Sequence, residues 1–512
     1  MAPYFGLRGK HLDAAMIWAV IMPAYILFGY NNAVAGGLLS LPAWIETFPR
    51  INTYTTTGDV KTNNSRVQGT VVAMYTLGCF FGALTCIWLG DRLGRKRTIM
   101  LGAFIDVIGA AVQSSSYSLA QLIVGRLVTG LGFGLVTATA PNWQSECSRA
   151  SHRGSAVLLE GFFISMGLAI ADWINFGMSH TTGAVSWRVP LALSAFWAII
   201  VIVMVPNMPE SPRWLIKKGR VVEAREVLSA LADVPADSET VNLDVRDIEE
   251  SLTLTGKGTF RDIFHPSEQR FFHRACLAAA GQMFQQMSGI NALAFYQNTI
   301  FESDLGLSPQ LARILGASVF TWQTICSPIG VLTVDRLGRR KLMMFAAFGM
   351  GMCMAIIAGT SSQSNSTSCV IVAAVFIFMF SFFFPTGFLG LTFLYAAEIS
   401  PLSVRVSITS ISTGSAWLFN FLVAEITPVG FDTLGYKYYI IYACINLFLI
   451  LPSVYFFFPE TNGRSLEEVD QIFLASKNIF APVSIAREMP QNANNSGSLE
   501  YKEEARAEVE NL

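Results

Sequence analysis

The sequence predicts an all-α membrane protein of twelve transmembrane helices, arranged as two pseudo-symmetric six-helix bundles. Three observations carry that expectation. Of the 512 residues, 52% are hydrophobic and only 14% charged, whereas soluble domains run near ~25% charged. Apolar stretches of roughly 20 residues, the length that crosses a bilayer as a helix, recur along the chain. Short motifs from its first half return in its second.

The candidate spans are 14–36, 68–89, 98–117, 120–141, 156–178, 187–206, 273–300, 310–334, 342–360, 368–395, 407–428 and 437–458. The first follows a short polar stretch, Met1 to Asp13, and is read as a permanent span rather than a cleaved signal. Residues 207–272 are polar and helix-prone, with Glu223, Arg225, Glu226, Asp247, Glu249 and Glu250, and divide the spans six and six. The expected organisation is an amino-terminal bundle over 1–206, a cytoplasmic linker with short helices over 207–272, and a carboxy-terminal bundle over 273–459. The charged tail, 460–512, is expected to be cytoplasmic and largely disordered.

Orientation follows from Lys and Arg in short loops. Arg92, Arg95, Lys96 and Arg97, then Arg149 and Arg153, then Arg336, Arg339, Arg340 and Lys341, fall on one side with the linker and both termini. That side is expected to be cytoplasmic. Asn63 in NNS and Asn365 in NST fall on the opposite face as glycosylation acceptors, while Asn494 lies in the tail and stays bare. The near-balance of 35 Lys and Arg against 36 Asp and Glu gives no basis for nucleic-acid binding. The eight Cys form no C-x-x-C pair and read as packed thiols. Five dispersed His, with no H-E-x-x-H and no nucleophile elbow, argue against an enzyme, and no metal or cofactor is expected.

The repeat is specific. DRLGRKR begins at Asp91 and DRLGRRK at Asp335; Glu146 precedes Arg153 as Glu398 precedes Arg405; PES at Pro209 returns as PET at Pro459. The displacements 335 − 91, 398 − 146 and 459 − 209 are nearly equal, so the halves are homologous and related by an axis along the membrane normal. Such an architecture implies a site near the midplane, exposed to each side in turn. Asp91, Arg92, Arg95, Glu146 and Arg153, with Asp335, Arg336, Arg339, Glu398 and Arg405, can pair across helix ends as a cytoplasmic gate. The plainer alternative is that the Arg residues only anchor topology.

In the seventh span Gln282, Gln285 and Gln286 fall at i, i+3 and i+4, one face of a helix, and Gly289 can interrupt that helix before Asn291. Carboxamides both donate and accept, which suits a neutral, hydroxyl-rich solute such as a sugar or polyol. Packing between helices is the alternative use of such amides.

FGYNNAVAGG, GRLVTGLGFG from Gly125, PESPRWL from Pro209, FQQMSGINALAFY from Phe284, YAAEISPLSVR from Tyr395 and PETNGRSLEEVD from Pro459 occur in that order. Over nearly its whole length the chain resembles the sugar porter family of the major facilitator superfamily, especially its fungal members. The resemblance implies that Gln285, Gln286 and Asn291 bind sugar hydroxyls, that Gln323 stands for an Asn and Phe393 for a Trp, and that Trp417 and Asn420 line the site while Tyr296 closes over it. It also marks departures: Ile87 replaces a Gly, Thr392-Phe393 a Pro-Trp, and Glu160 a sugar-binding Gln.

Proton-coupled members of that family carry an Asp where this chain has Asn31, paired with an Arg matched by Arg126. Asn cannot titrate, so facilitated diffusion is expected ahead of proton symport through another carboxylate. Glu160 leads those candidates, with Asp172, Asp106 and Glu425 behind. A non-transporting sugar sensor and a drug exporter are the rival classes; the short tail disfavours the first and the polar pocket the second. The protein is expected in the plasma membrane, working as a monomer, with protons as a possible second partner.

Overall fold

The computed structural model describes residues 3–147, 153–254, 260–363, 366–401, 403–464 and 466–489. Apolar composition without β-branched alternation produces helices throughout. In the first half these are α1 (Gly9–Leu38), α2 (Gly58–Leu93), α3 (Arg95–Ser114), α4 (Leu119–Cys147), α5 (Arg153–Met178) and α6 (Val185–Met204). The linker folds as α7 (Pro212–Lys217), α8 (Val221–Ala232) and α9 (Glu239–Leu254) around Trp214, Ile216, Val227 and Val241. The second half contributes α10 (Phe271–Met287), α11 (Ile290–Thr299), α12 (Pro309–Leu337), α13 (Arg339–Ser361), α14 (Thr367–Glu398), α15 (Arg405–Leu434) and α16 (Lys437–Phe457).

Among the described residues, ten helices are long and apolar enough to cross a membrane, which corrects the expectation of twelve apolar spans. The two others have physical reasons to fall short. Gly289, at φ 104, divides the seventh segment into α10 and α11. α15 is continuous, but Ser407, Thr409, Ser410, Ser412, Thr413, Ser415 and Asn420 dilute its apolar character. α2 begins about ten residues before the apolar run does, so Asn63 lies exposed on a helix rather than in a loop. In the tail, α17 (Leu466–Ala475) and α18 (Ala481–Glu488) are helical. Arg274 pairs with Asp470 and lies 4.3 Å from the Phe473 ring, tying α17 to the start of α10.

Within the first half α2 packs on α4, α3 on α4 and α6, and α1 on α5 and α6. Small residues allow the approach: a Cβ on Gly78 or Gly82 would run into α4 backbone, and one on Gly29 into α5 backbone. The halves meet along α2 with α15, α5 with α12, and α1 with α11. At the end away from the charged loops these seams are stitched together. Tyr54 Oη lies 2.8 Å from Thr299 Oγ1, Thr70 donates to Glu425 at 2.7 Å, Thr62 to Asp432 at 2.8 Å and Arg313 to Ser40 at 2.9 Å. A Cβ on Gly36 or Gly69 would strike the carbonyl of Phe295 or Glu425 across the seam. The end away from the charged loops is therefore closed.

Candidate functional site

The break at Gly289 sets the geometry of the interior. With the helix interrupted, Asn291 turns back toward the last turn of α10, and a relay of carboxamides results. Asn291 Nδ2 donates to Gln286 Oε1 at 2.6 Å, and Gln286 Nε2 donates to Gln285 Oε1 at 2.8 Å. Gln285 Nε2 in turn donates to the carbonyls of Phe388 and Leu389 on α14, at 3.0 and 2.9 Å. Gln282 is fully buried, yet neither of its amide atoms has a partner among the described residues. Leaving such a group unpaired costs about 1–3 kcal/mol, a penalty that a bound hydroxyl would remove.

Gln323 reaches across the halves, donating to Ser165 Oγ of α5 at 3.1 Å, and Ser165 lies 3.0 Å from Ser327 Oγ. Asn420 is buried with an unpartnered Oδ1. Trp417 is packed, its ring 5.2 Å from Phe28 and 6.1–6.2 Å from Phe133 and Tyr75 of the other half. Tyr296 is also buried and donates to the Ala424 carbonyl at 2.9 Å, on the closed outer side. Phe393 is half-buried on α14. α14 runs regularly through Thr392-Phe393, and it widens earlier, over Pro385–Leu389.

In the amino-terminal half Glu160 is buried and hydrogen-bonded to Tyr25, with Oε1 unpartnered. Asn31 Nδ2 donates to Asp106 Oδ1 at 3.3 Å. Arg126 does not meet position 31; its Nη2 donates to the Val72 carbonyl at 3.2 Å and its guanidinium lies over the Tyr75 ring.

At the end that carries the charged loops the sequence repeat becomes a repeat of atoms. Gly94 (φ 86, ψ 174) and Gly338 (φ 87, ψ 160) make the same left-handed turn, which a side chain would strain. Each turn presents the first backbone N–H groups of α3 or α13 to a carboxylate. Glu210 accepts from Arg95 N at 3.1 Å and Lys96 N at 3.2 Å; Glu460 accepts from Arg339 N at 2.9 Å and Arg340 N at 3.1 Å. An acid there is favoured by unpaired donors and by the helix dipole. Burial nonetheless pushes the Glu210 carboxyl up from its ordinary range, against those donors.

Beside each turn an Arg grips an acid of the next helix. Arg95 holds Glu146 through two bonds of 2.9 Å, and Arg339 holds Glu398, the closest contact 2.8 Å. These pairs close within each half and not between halves. Arg405 donates to the Ser400 carbonyl, while Arg92 and Arg336 are exposed. Asp335 is exposed and accepts from Arg339 at 3.0 Å. The side chains of Asp91 and Arg153, and residues Arg149 and Asn365 altogether, lie outside the described residues. Glu210 and Glu460 were not singled out by their chemistry, although the returning PES and PET pointed to them.

Residues 16–473 match the family described as sugar (and other) transporter. The chain belongs to that family. Within it, the chain is 36% identical to the MFS-type transporter oryC of Aspergillus oryzae, over 96% of this chain and 91% of that one. It is 35% identical to the sugar transporter STL1 of Saccharomyces cerevisiae, over 95% and 86%. Among solved structures, the proton:xylose symporter XylE superposes with a TM-score of 0.76 at 22% identity, covering 90% of this chain and 99% of that chain. The fold is thus the all-α, multi-span fold of the major facilitator superfamily. A sugar transporter family member is a multi-pass membrane carrier and not an enzyme, and the paired Gly94 and Gly338 turns fit its duplicated halves.

Proposed function

We propose that this family member carries a neutral, hydroxyl-rich solute, a sugar or polyol, by alternating access, and couples that movement to protons through a buried carboxylate. The observation that carries the reading is the amide face of α10: a relay through Gln285, Gln286 and Asn291 beside Gln282, whose buried carboxamide has no partner among the described residues. A buried charge would discourage a neutral guest, whereas amides meet hydroxyls as donor or acceptor. The likeness to the sugar transporter STL1 supports the same solute class, and the fold shared with the proton:xylose symporter XylE accords with coupling.

The reading takes all twelve segments as spanning, the polar seventh and eleventh lining the path where the halves face each other. Both termini face the cytoplasm, the protein sits in the plasma membrane, and one chain suffices. The closed outer end and the latch pairs confined within each half describe a carrier whose path opens inward. Coupling is favoured over simple diffusion because Asp106, Glu160 and Asp172 are all buried within amino-terminal spans, where ionisable groups are costly and mark ion pathways. Asn31 is the one observation on the side of uncoupled diffusion.

The test is counterflow in sealed liposomes holding the purified protein, with labelled D-glucose, D-xylose, D-mannitol and glycerol. Movement of at least one is expected. Movement of none would sink the transport reading and leave a sensor.

A further inference from the structure

Neither the amide site nor the cytoplasmic latch uses Asp106, which lies midway along α3 and is fully buried. Its Oδ1 accepts the amide of Asn31, and its Oδ2 has no hydrogen-bond partner among the described residues. The position is fixed by close packing, because a Cβ on Gly132 of α4 would strike the Asp106 backbone nitrogen. Every element around it can be inspected for charge. α1 presents Asn31; α2 presents Tyr75 and Cys79; α6 contributes Arg188 at its outer end, bonded to the Ser116 carbonyl. α4 supplies Arg126, buried with an unpartnered Nε and held 5.6 Å from the Tyr75 ring centroid. Asp106 and Arg126 thus have buried neighbours in common, Tyr75 and Cys79 of α2.

We propose that Asp106, positioned by Asn31, is the proton-carrying carboxylate of this transporter, acting from α3 in place of an acid at position 31. The inference rests on the proton-coupling reading above. When the path opens inward, the Asp106 O–H bond breaks and the proton passes to water. The carboxylate keeps the Asn31 amide on Oδ1 and offers Oδ2 to Arg126. When the path opens outward, a proton from water re-forms the O–H bond and frees Arg126. One proton enters and one leaves per cycle. Asn31 exchanges no proton and serves as a positioning residue.

The experiment uses the full chain in liposomes loaded with a pH-sensitive dye, driven in turn by gradients of D-glucose, D-xylose, D-mannitol and glycerol. Wild type is expected to acidify the lumen as solute enters. In D106N acidification falls at least tenfold, while solute counterflow persists and loses its pH dependence. Moving the acid across the same contact, in the double variant N31D D106N, restores acidification, and D172N retains it. Acidification by D106N within twofold of wild type overturns the assignment while leaving coupling standing. Solute entry without acidification in wild type overturns coupling, and this assignment with it. Should D106N not fold, N31D decides: a second carboxylate beside the first moves the pH midpoint of counterflow by about a unit or more, and an unmoved midpoint overturns the proposal.

Discussion

The two halves share a latch beside the charged loops almost atom for atom and differ in the charges they bury in their interiors. Gly94, Glu210, Arg95 and Glu146 have counterparts in Gly338, Glu460, Arg339 and Glu398. Even the aromatic donors correspond, Trp143 to the Pro209 carbonyl and Tyr395 to the Pro459 carbonyl. Deeper in, the amino-terminal half buries Asp106, Arg126, Glu160 and Asp172, whereas the carboxy-terminal half buries Gln282, Gln285, Gln286, Asn291, Gln323 and Asn420. Duplication preserved what both halves must do, which is to hold rigid ends that rock. It released what only one must do: among the described residues the buried carboxylates, Asp106, Glu160 and Asp172, all lie in the amino-terminal half.

The latch comparison is the sharpest to break. Arg339 is held by Glu398, Asp335 and Asn462, and Arg95 by Glu146 and the Gly90 carbonyl. Removing one partner of a buried pair costs about 3 kcal/mol or more, so R339A and R95A should each lower the thermal midpoint of the detergent-solubilised protein. A loss in only one of the two would show that the halves are not latched alike.

The next effect lies at the break. Gly289 is left-handed, and a Cβ there would lie 2.6 Å from Met354 Cε and 3.2 Å from the Tyr442 ring. G289A should cost about 2 kcal/mol from backbone strain and crowding and weaken solute binding with it, read by thermal denaturation and counterflow. Binding at wild-type affinity would mean that the amide relay does not need the interruption.

The interior contrast predicts a smaller change with a narrower signature. Q286A removes the middle of the relay, and the loss of hydrogen bonds worth about 1.4 kcal/mol should raise the half-saturating solute concentration about tenfold. Proton movement per solute should hold constant. Exchange unchanged in reconstituted Q286A would remove the binding role assigned to the carboxy-terminal half.

Smallest of all is the outer seam, where Lys61 lies 3.5 Å from Asp432 and is well exposed. Surface pairs contribute about 0.5 kcal/mol. D432N, which also weakens the bond from Thr62, should therefore shift the balance of inward and outward states only about twofold, measured by labelling of outward-accessible cysteines.

Much of this was legible in the sequence because it depends on spacing. The three returning motifs pointed to the paired turns at Gly94 and Gly338. Gln282, Gln285 and Gln286 shared a face because helical periodicity dictates it. Hydropathy could not separate polar spans from apolar ones, so ten helices pass where twelve were expected. Asp106 ranked behind Glu160 because nothing in one dimension brings α3 beside Asn31. The widened turn at Pro385 and the Ser165–Ser327 contact likewise depend on which helices meet, which is a property of packing. The roles of Glu210 and Glu460 were hidden differently: their motif was seen, but their partners are backbone nitrogens, which every residue has.

The outer seam carries a design consequence through Gly36 and Gly69. Where two backbones touch with no side chain between them, closure tolerates no added volume, and even a methyl group acts as a wedge. Alanine or valine at these positions should yield carriers held open at the end away from the charged loops, with the latch folded normally and the amide relay intact, which makes them natural baits for inhibitors that enter from that side.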